Sequence, residues 1–396
     1  MTNTSTLAAP AIDAEALLPE VLAFRRRFPI FQSKVHLANN AMAAVSDSLE
    51  AAHRQFLEDR LAHGASWEVA QVQHDRLKAQ FATLIGAKPS EIALCYGATQ
   101  ALGVFASCFD YRTRPGIVFD DYSFPSVAQL WHAQTRRGAK VTRVAPGADG
   151  LLLPEHFVPA VDETTAFVSS AHVCYKNGHR LDVAGTAKVA HDAGALFVLD
   201  DYQGCGSRLM DVRAQGVDVL VAGTVKYLLG SPGVTLMYVK EELHDQLHPT
   251  LTGWFGQQDP HAMRIDAHVE APDASKFQCG TPALGPIYDS VAGLDLLLSV
   301  GIDKVSAWMD HLTARLIARL DEEGFLPATP RDPARRGPQV GIRAKDGAAA
   351  VAALAKRGIT STQRDNNVRT AWHFYNTPDD IEALIAALHD IRPLMA

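Results

Sequence analysis

Between residues 92 and 239, seven short apolar runs recur along the chain: IALCY (92–96), GIVFD (116–120), KVTRV (140–144), TAFVSS (165–170), LFVLD (196–200), DVLVAG (218–223) and GVTLMYV (233–239). Runs this short, rich in β-branched residues and bounded by turn formers, predict strands. Helical patterns lie between several of them: ALGVFASCF from 101, SVAQLWHAQTRR from 126 and VAGTAKVAHDAG from 183. Strands alternating with helices predict an α/β fold whose mostly parallel seven-stranded sheet carries helices on both faces. After residue 285 the pattern changes. Two long amphipathic helices are expected over 285–301 and 303–324, then the loop TPRDPARRGPQ, short strands and a last helix, PDDIEALIAALHDI. That is the pattern of a smaller C-terminal α+β domain. The expected division is an N-terminal segment, 1–45, packing on the small domain and the site; a large domain, 46–285; and a small domain, 286–396.

Ligands of open α/β sheets bind beyond the carboxyl ends of the strands, so the residues just after each run carry the candidate chemistry. Asp200 ends one strand, with Gln203 three residues on. Thr224 and Lys226 follow another, where an ammonium is costly to desolvate. Gly97, Ala98 and Thr99 open a helix whose free N–H groups and dipole suit a phosphate. Phe124 follows a fourth strand. An amine able to form a Schiff base, an acid for a pyridinium nitrogen, a phosphate turn and an aromatic ring together point to pyridoxal 5'-phosphate.

Composition narrows the setting. With 396 residues, 47% hydrophobic and 20% charged, the chain can bury a sizeable core. A net charge of -7 argues against nucleic acid or an anionic membrane as partner. No apolar run approaches membrane-spanning length, and the start lacks the basic and apolar regions of a secretory leader. Five cysteines without a C-x-x-C pair fit reduced thiols rather than disulfides or zinc. A cytoplasmic enzyme is expected.

The ordered motifs of residues 88–290, and less tightly 35–396, resemble the class V aminotransferase family of fold-type I pyridoxal-phosphate enzymes, with kynureninase-like members the nearest in appearance. The motifs are FVLDDYQ, GTVKYLLGSPG, GAT at 97–99, FPS at 124–126, GWFGQ at 253–257, CGTPALGP at 279–286 and NNVRTAWHFYNTPDDIEAL. The resemblance implies that Asp200 pairs with the pyridine nitrogen, Gln203 with the ring hydroxyl, and Lys226 with the aldehyde carbon. It implies phosphate contacts from Gly97, Ala98, Thr99, Thr224 and Trp254, and a stacking Phe124. Thr281 would cross a homodimer interface, and Arg369 would hold the substrate carboxylate. Two departures bear on activity. Kynureninases place a tyrosine before the lysine and many relatives a histidine, where this chain has Val225. The loop that carries a cysteine in the family's desulfurases has none here, and no cysteine follows Cys279.

Plainer readings compete at several positions. Lys226 could snorkel to water, Phe124 and Trp254 could only pack, and Arg369 could pair with a structural acid. Asp201 is expected to be a solvated cap and His172 a satisfied buried histidine, and Tyr175 stands evenly between neighbouring the ring and packing. HDQLH (244–248) is expected at a solvated helix end rather than on a metal, and GCGSRL (204–209) lacks the last glycine of a dinucleotide fingerprint. The expected function is a pyridoxal-phosphate enzyme acting on a small L-amino acid. Cleavage of its side chain stands ahead of transamination, and a non-catalytic binding module is a distant third. The side chain would be read by residues such as HLANNAMAA (36–44).

Overall fold

A computed structural model describes residues 12–65 and 67–396; the first eleven residues, where a leader would lie, are outside the described residues. The strands are β1 (Val35–His36), β2 (Ile92–Cys95), β3 (Gly116–Asp120), β4 (Lys140–Val144), β5 (Thr165–Ala171), β6 (Leu196–Asp200), β7 (Val219–Gly223), β8 (Thr235–Val239), β9 (Gln339–Arg343), β10 (Ile359–Thr360), β11 (Thr362–Arg364) and β12 (Asn367–Ala371). Helices over the first half are α1 (Leu18–Arg25), α2 (Asp47–His63), α3 (Trp67–Ile85), α4 (Ala98–Ala106), α5 (Pro125–Ala133), α6 (Pro154–Phe157) and α7 (Val183–Asp192). The second half adds α8 (Leu284–Val300), α9 (Ile302–Glu322), α10 (Gly347–Lys356) and α11 (Pro378–Asp390).

The seven expected strands form one sheet in the order β2-β8-β7-β6-β5-β3-β4. β8 runs against both its neighbours and the other six strands are parallel to one another. Successive residues alternate between two cores. Ile117, Phe119, Phe167, Val198 and Val221 face α4 and α5, packing with Leu102, Phe105 and Trp131. Val118, Val168, Phe197, Leu199 and Leu220 join Phe81 of α3 and Ala187 of α7 in the other core. Burial on both faces is why these strands read as unbroken apolar runs.

The parallel direction gathers the ends of β2, β3, β5, β6 and β7 on one rim. Reversal of β8 brings its first residue, Thr235, to the same rim, paired with Cys95 on one side and Gly223 on the other. A second, three-stranded sheet, β11-β12-β9, stands beside it. The N-terminal segment is tied to this C-terminal region by the β1–β10 pairing and by a two-pronged ion pair from Arg25 to Asp380, at 2.7 and 2.9 Å. On the other side, α8 packs on α2 and α3, with Arg76 paired to Asp295 at 2.6 Å.

Candidate active site

A cavity of about 250 Å³ opens at the rim and is lined by Ala98, Thr99, Phe124, Asp200, Gln203 and Lys226 among others. They come from four separate places in the chain, at or just after the ends of β2, β3, β6 and β7, whose common direction delivers them to one rim. Lys226 sits three residues beyond β7 on a tightly held turn. Leu229 adopts a left-handed φ of 60°, and the Gly230 N–H donates to the Thr224 carbonyl at 2.8 Å. Gly293 of α8 lets that helix lie against the turn, because a Cβ there would come within 2.5 Å of the Leu228 carbonyl oxygen. A buried, left-handed leucine is costly and persists because the packing around it leaves no alternative.

Burial pulls the Lys226 amine down to a pKa of about 8; Asp200 draws it back up and Arg369 pushes it further down. A lysine so placed is neutral part of the time at physiological pH, as a nucleophile or base must be. Asp200, buried at the end of β6, is lifted to about 6 by desolvation, against the Tyr202 N–H and Lys226, which favour its charge. One of its oxygens accepts the Tyr202 N–H at 3.1 Å. Gln203 donates through Nε2 to the Asn40 carbonyl at 3.0 Å, and its buried Oε1 has no partner among the described residues. Phe124 precedes α5 with its ring 40% exposed and edge-on to Tyr175, the centroids 5.1 Å apart. Gly97 starts α4 without a side chain to cap the first turn, so its N–H groups are available to an anion.

Arg369 projects from β12 and is 3% exposed. Its Nη1 donates to the Tyr175 carbonyl, and its Nε has no partner among the described residues. Desolvation lowers its pKa to about 10, so it stays charged at neutral pH. Arg369 does not line the cavity among the described residues; it sits behind Tyr175, which does, and reaches Lys226 through its charge.

Other expected residues lie elsewhere. Thr224 is fully buried, its hydroxyl donating to the Ser231 carbonyl and accepting from Ser290, both at 2.9 Å. Trp254 packs edge-on against Phe255 and Trp67, away from the cavity. Thr281 lines a separate apolar hollow with Phe56, Leu61 and Pro282. Asp201 corrects the expectation of a solvated cap: it is fully buried and meets His172 Nδ1 at 2.6 Å. His244 is likewise buried, bonded to the Val239 carbonyl, rather than at a solvated end. No group of three or more metal-ligating side chains gathers among the described residues. Tyr122 and Tyr175 line the cavity, and so does Tyr202, which motif reading passed over although it lies inside DYQ.

The family model for class-V aminotransferases matches residues 36–384. This chain belongs to the class-V aminotransferase family. It is 32% identical over 368 residues to an uncharacterized aminotransferase, YcbU, of Bacillus subtilis strain 168, covering 93% of this chain and 96% of that protein. It is 26% identical over 378 residues to a kynureninase of Pseudomonas fluorescens, covering 90% and 88%. Its fold matches a cysteine desulfurase of Thermococcus onnurineus NA1 at a TM-score of 0.85 and 21% identity, covering 94% and 98%.

This class-V protein is a pyridoxal-phosphate-dependent enzyme. The cavity fits that cofactor on its own chemistry: a partly neutral lysine, a buried acid, an orphaned amide oxygen, an exposed aromatic face and an uncapped helix start. Among the described residues no helix is long and apolar enough to cross a membrane.

Proposed function

We propose that the enzyme acts on a small L-amino acid and cleaves its side chain. When bound, pyridoxal phosphate supplies the sink for electrons left at the α-carbon. The chain's own residues divide the remaining work. Arg369 would hold the substrate carboxylate by paired charged hydrogen bonds. Lys226, neutral part of the time, would bind the aldehyde carbon and, once displaced, take the α-proton. Asp200 would keep the pyridine nitrogen protonated, Gln203 Oε1 would meet the ring hydroxyl, and Phe124 would cover the ring face. Ala98 and Thr99, with Gly97 before them, would meet the phosphate. Thr224 would act through the turn it holds.

The observation that carries cleavage over simple amino transfer is Tyr175. It lines the same cavity as Lys226, and its phenol carries a proton at neutral pH. A proton donor near the leaving group is what side-chain cleavage adds to α-proton removal. Among the described residues no cysteine lines the cavity, so a persulfide route has no nucleophile in that lining. Transamination is the second reading, favoured by the name of the Bacillus relative.

The test uses holoenzyme and a panel of L-amino acids without a keto acid. Product accumulating over many cycles supports cleavage; one equivalent, followed by arrest until a keto acid is added, supports transamination. Under cleavage, Tyr175→Phe would lose product formation while still exchanging the α-proton with deuterated solvent.

The described surface also supports a homodimer. Leu57 and Leu61 of α2 are 47% and 86% exposed and share an apolar hollow with Thr281, Pro282 and Leu284. A second copy covering this hollow would bury it and bring Thr281, and with it Trp254, toward a neighbouring site. Native mass of the wild type against Leu61→Glu tests this; a wild-type monomer would refute it.

A further inference from the structure

The side chain that follows β6 beside the candidate acid has a defined place. Tyr202 lies against Gly223, the last residue of β7, and the fit depends on glycine: a Cβ there would sit 2.0 Å from Tyr202 Cε1. Its ring crosses the rim between β7 and β2. The phenol oxygen shares a hydrogen bond with the hydroxyl of Thr235, the first residue of β8, and Ala98 and Thr99 of the first turn of α4 line the same cavity as Tyr202. Thr235 pairs with both Cys95 and Gly223, so the reversed strand brings its hydroxyl to the mouth of that helix. Lys226 Nζ lies 5.2 Å from the Tyr202 ring centroid. The tyrosine is therefore inside the cofactor cavity, with its polar end where α4 offers its N–H groups.

We propose that Tyr202 is a cofactor-anchoring residue of this enzyme, its hydroxyl donating to the phosphate of pyridoxal phosphate at the start of α4. The oxygen accepts from Thr235 while its own proton turns toward the anion, a donor that neither residue 223 nor residue 225 can supply: one is glycine, the other valine. Burial drives the phenol pKa up to about 12, so the donor keeps its proton across the neutral range. Gly223 and Tyr202 form a matched pair in which the missing side chain on β7 makes room for the ring from β6.

The inference rests on the cofactor reading, and its test separates the two. Full-length apoenzyme is titrated with pyridoxal phosphate and with pyridoxal, which lacks the phosphate, for the wild type and Tyr202→Phe. Loss of a hydrogen bond to a charged group weakens binding by about tenfold or more. The expected result is that Tyr202→Phe cuts the preference for the phosphorylated aldehyde by about that factor and leaves pyridoxal affinity unchanged. The ³¹P resonance of the bound cofactor should also move. Thr235→Val, which removes the partner that orients the phenol, should produce the same change to a smaller extent. An unchanged preference in Tyr202→Phe, or equal weakening of both aldehydes, overturns the assignment. A wild type that does not discriminate between the aldehydes overturns the phosphate cradle itself, and the assignment with it.

Discussion

The protonation of Lys226 gives the sharpest quantitative prediction. Its pKa falls from an ordinary 10.5 to about 8. At pH 7 the neutral fraction therefore rises from about 0.03% to roughly 10%, near 300-fold, equivalent to about 3 kcal/mol. Only the neutral amine captures an aldehyde. The second-order rate at which apoenzyme takes up pyridoxal phosphate should thus rise with pH to a midpoint near 8, while the rate for butylamine in the same buffers keeps rising toward an ordinary amine pKa. Two substitutions should move that midpoint in opposite directions. Asp200→Asn removes the charge that favours the ammonium, so the midpoint should fall below 8. Arg369→Gln removes a repelling cation, so it should rise. A wild-type midpoint at or above 10, or an upward shift in Asp200→Asn, would refute the reasoning that burial and these two neighbours set the lysine.

Arg369→Gln should also raise KM for the amino acid by roughly 10- to 100-fold with a smaller change in kcat, because a carboxylate held by charged hydrogen bonds loses them; steady-state kinetics checks it. Asp120, buried at the end of β3 with one oxygen lacking a partner among the described residues, is pushed up to about 7 by desolvation. A carboxyl with a raised folded-state pKa costs stability once ionised, and the cost disappears as pH falls toward its unfolded value. Asp120→Asn should therefore raise the Tm near pH 8, by an amount worth about 2–4 kcal/mol, and leave it nearly unchanged near pH 4 in scanning calorimetry. Gly293→Ala should cost about 1–3 kcal/mol by pushing α8 off the Lys226 turn, read as a lower Tm together with faster loss of cofactor on dialysis.

The sheet was legible because its strands are buried on both faces and so announce themselves as apolar runs. Direction was not: GVTLMYV carries no mark that it runs against its neighbours, which only its pairing with Cys95 and Gly223 reveals. Helix α2 went unread because none of its residues is fully buried, so its apolar stripe is sparse. Lys226, Asp200, Gln203, Phe124, Ala98 and Thr99 follow strands, a position visible in sequence, and they line one cavity. Asp201 was misread because its partner, His172, lies 29 residues away at the end of the adjacent strand. Tyr202 was invisible for a similar reason: its place depends on a glycine from one strand and a threonine from another.

The central claim is that Lys226, and no other lysine, carries the cofactor. Lys78 and Lys276 are buried, but Lys78 donates to Ser275 and Lys276 to the His244 carbonyl, outside the cavity. Borohydride reduction of the holoenzyme followed by peptide mass spectrometry tests the claim directly. The account predicts the cofactor's mass on the peptide containing GTVKYLLG, at Lys226 alone, and loss of the label in Lys226→Ala. A label on Lys78, Lys276 or Lys176, or none on any lysine, would contradict it.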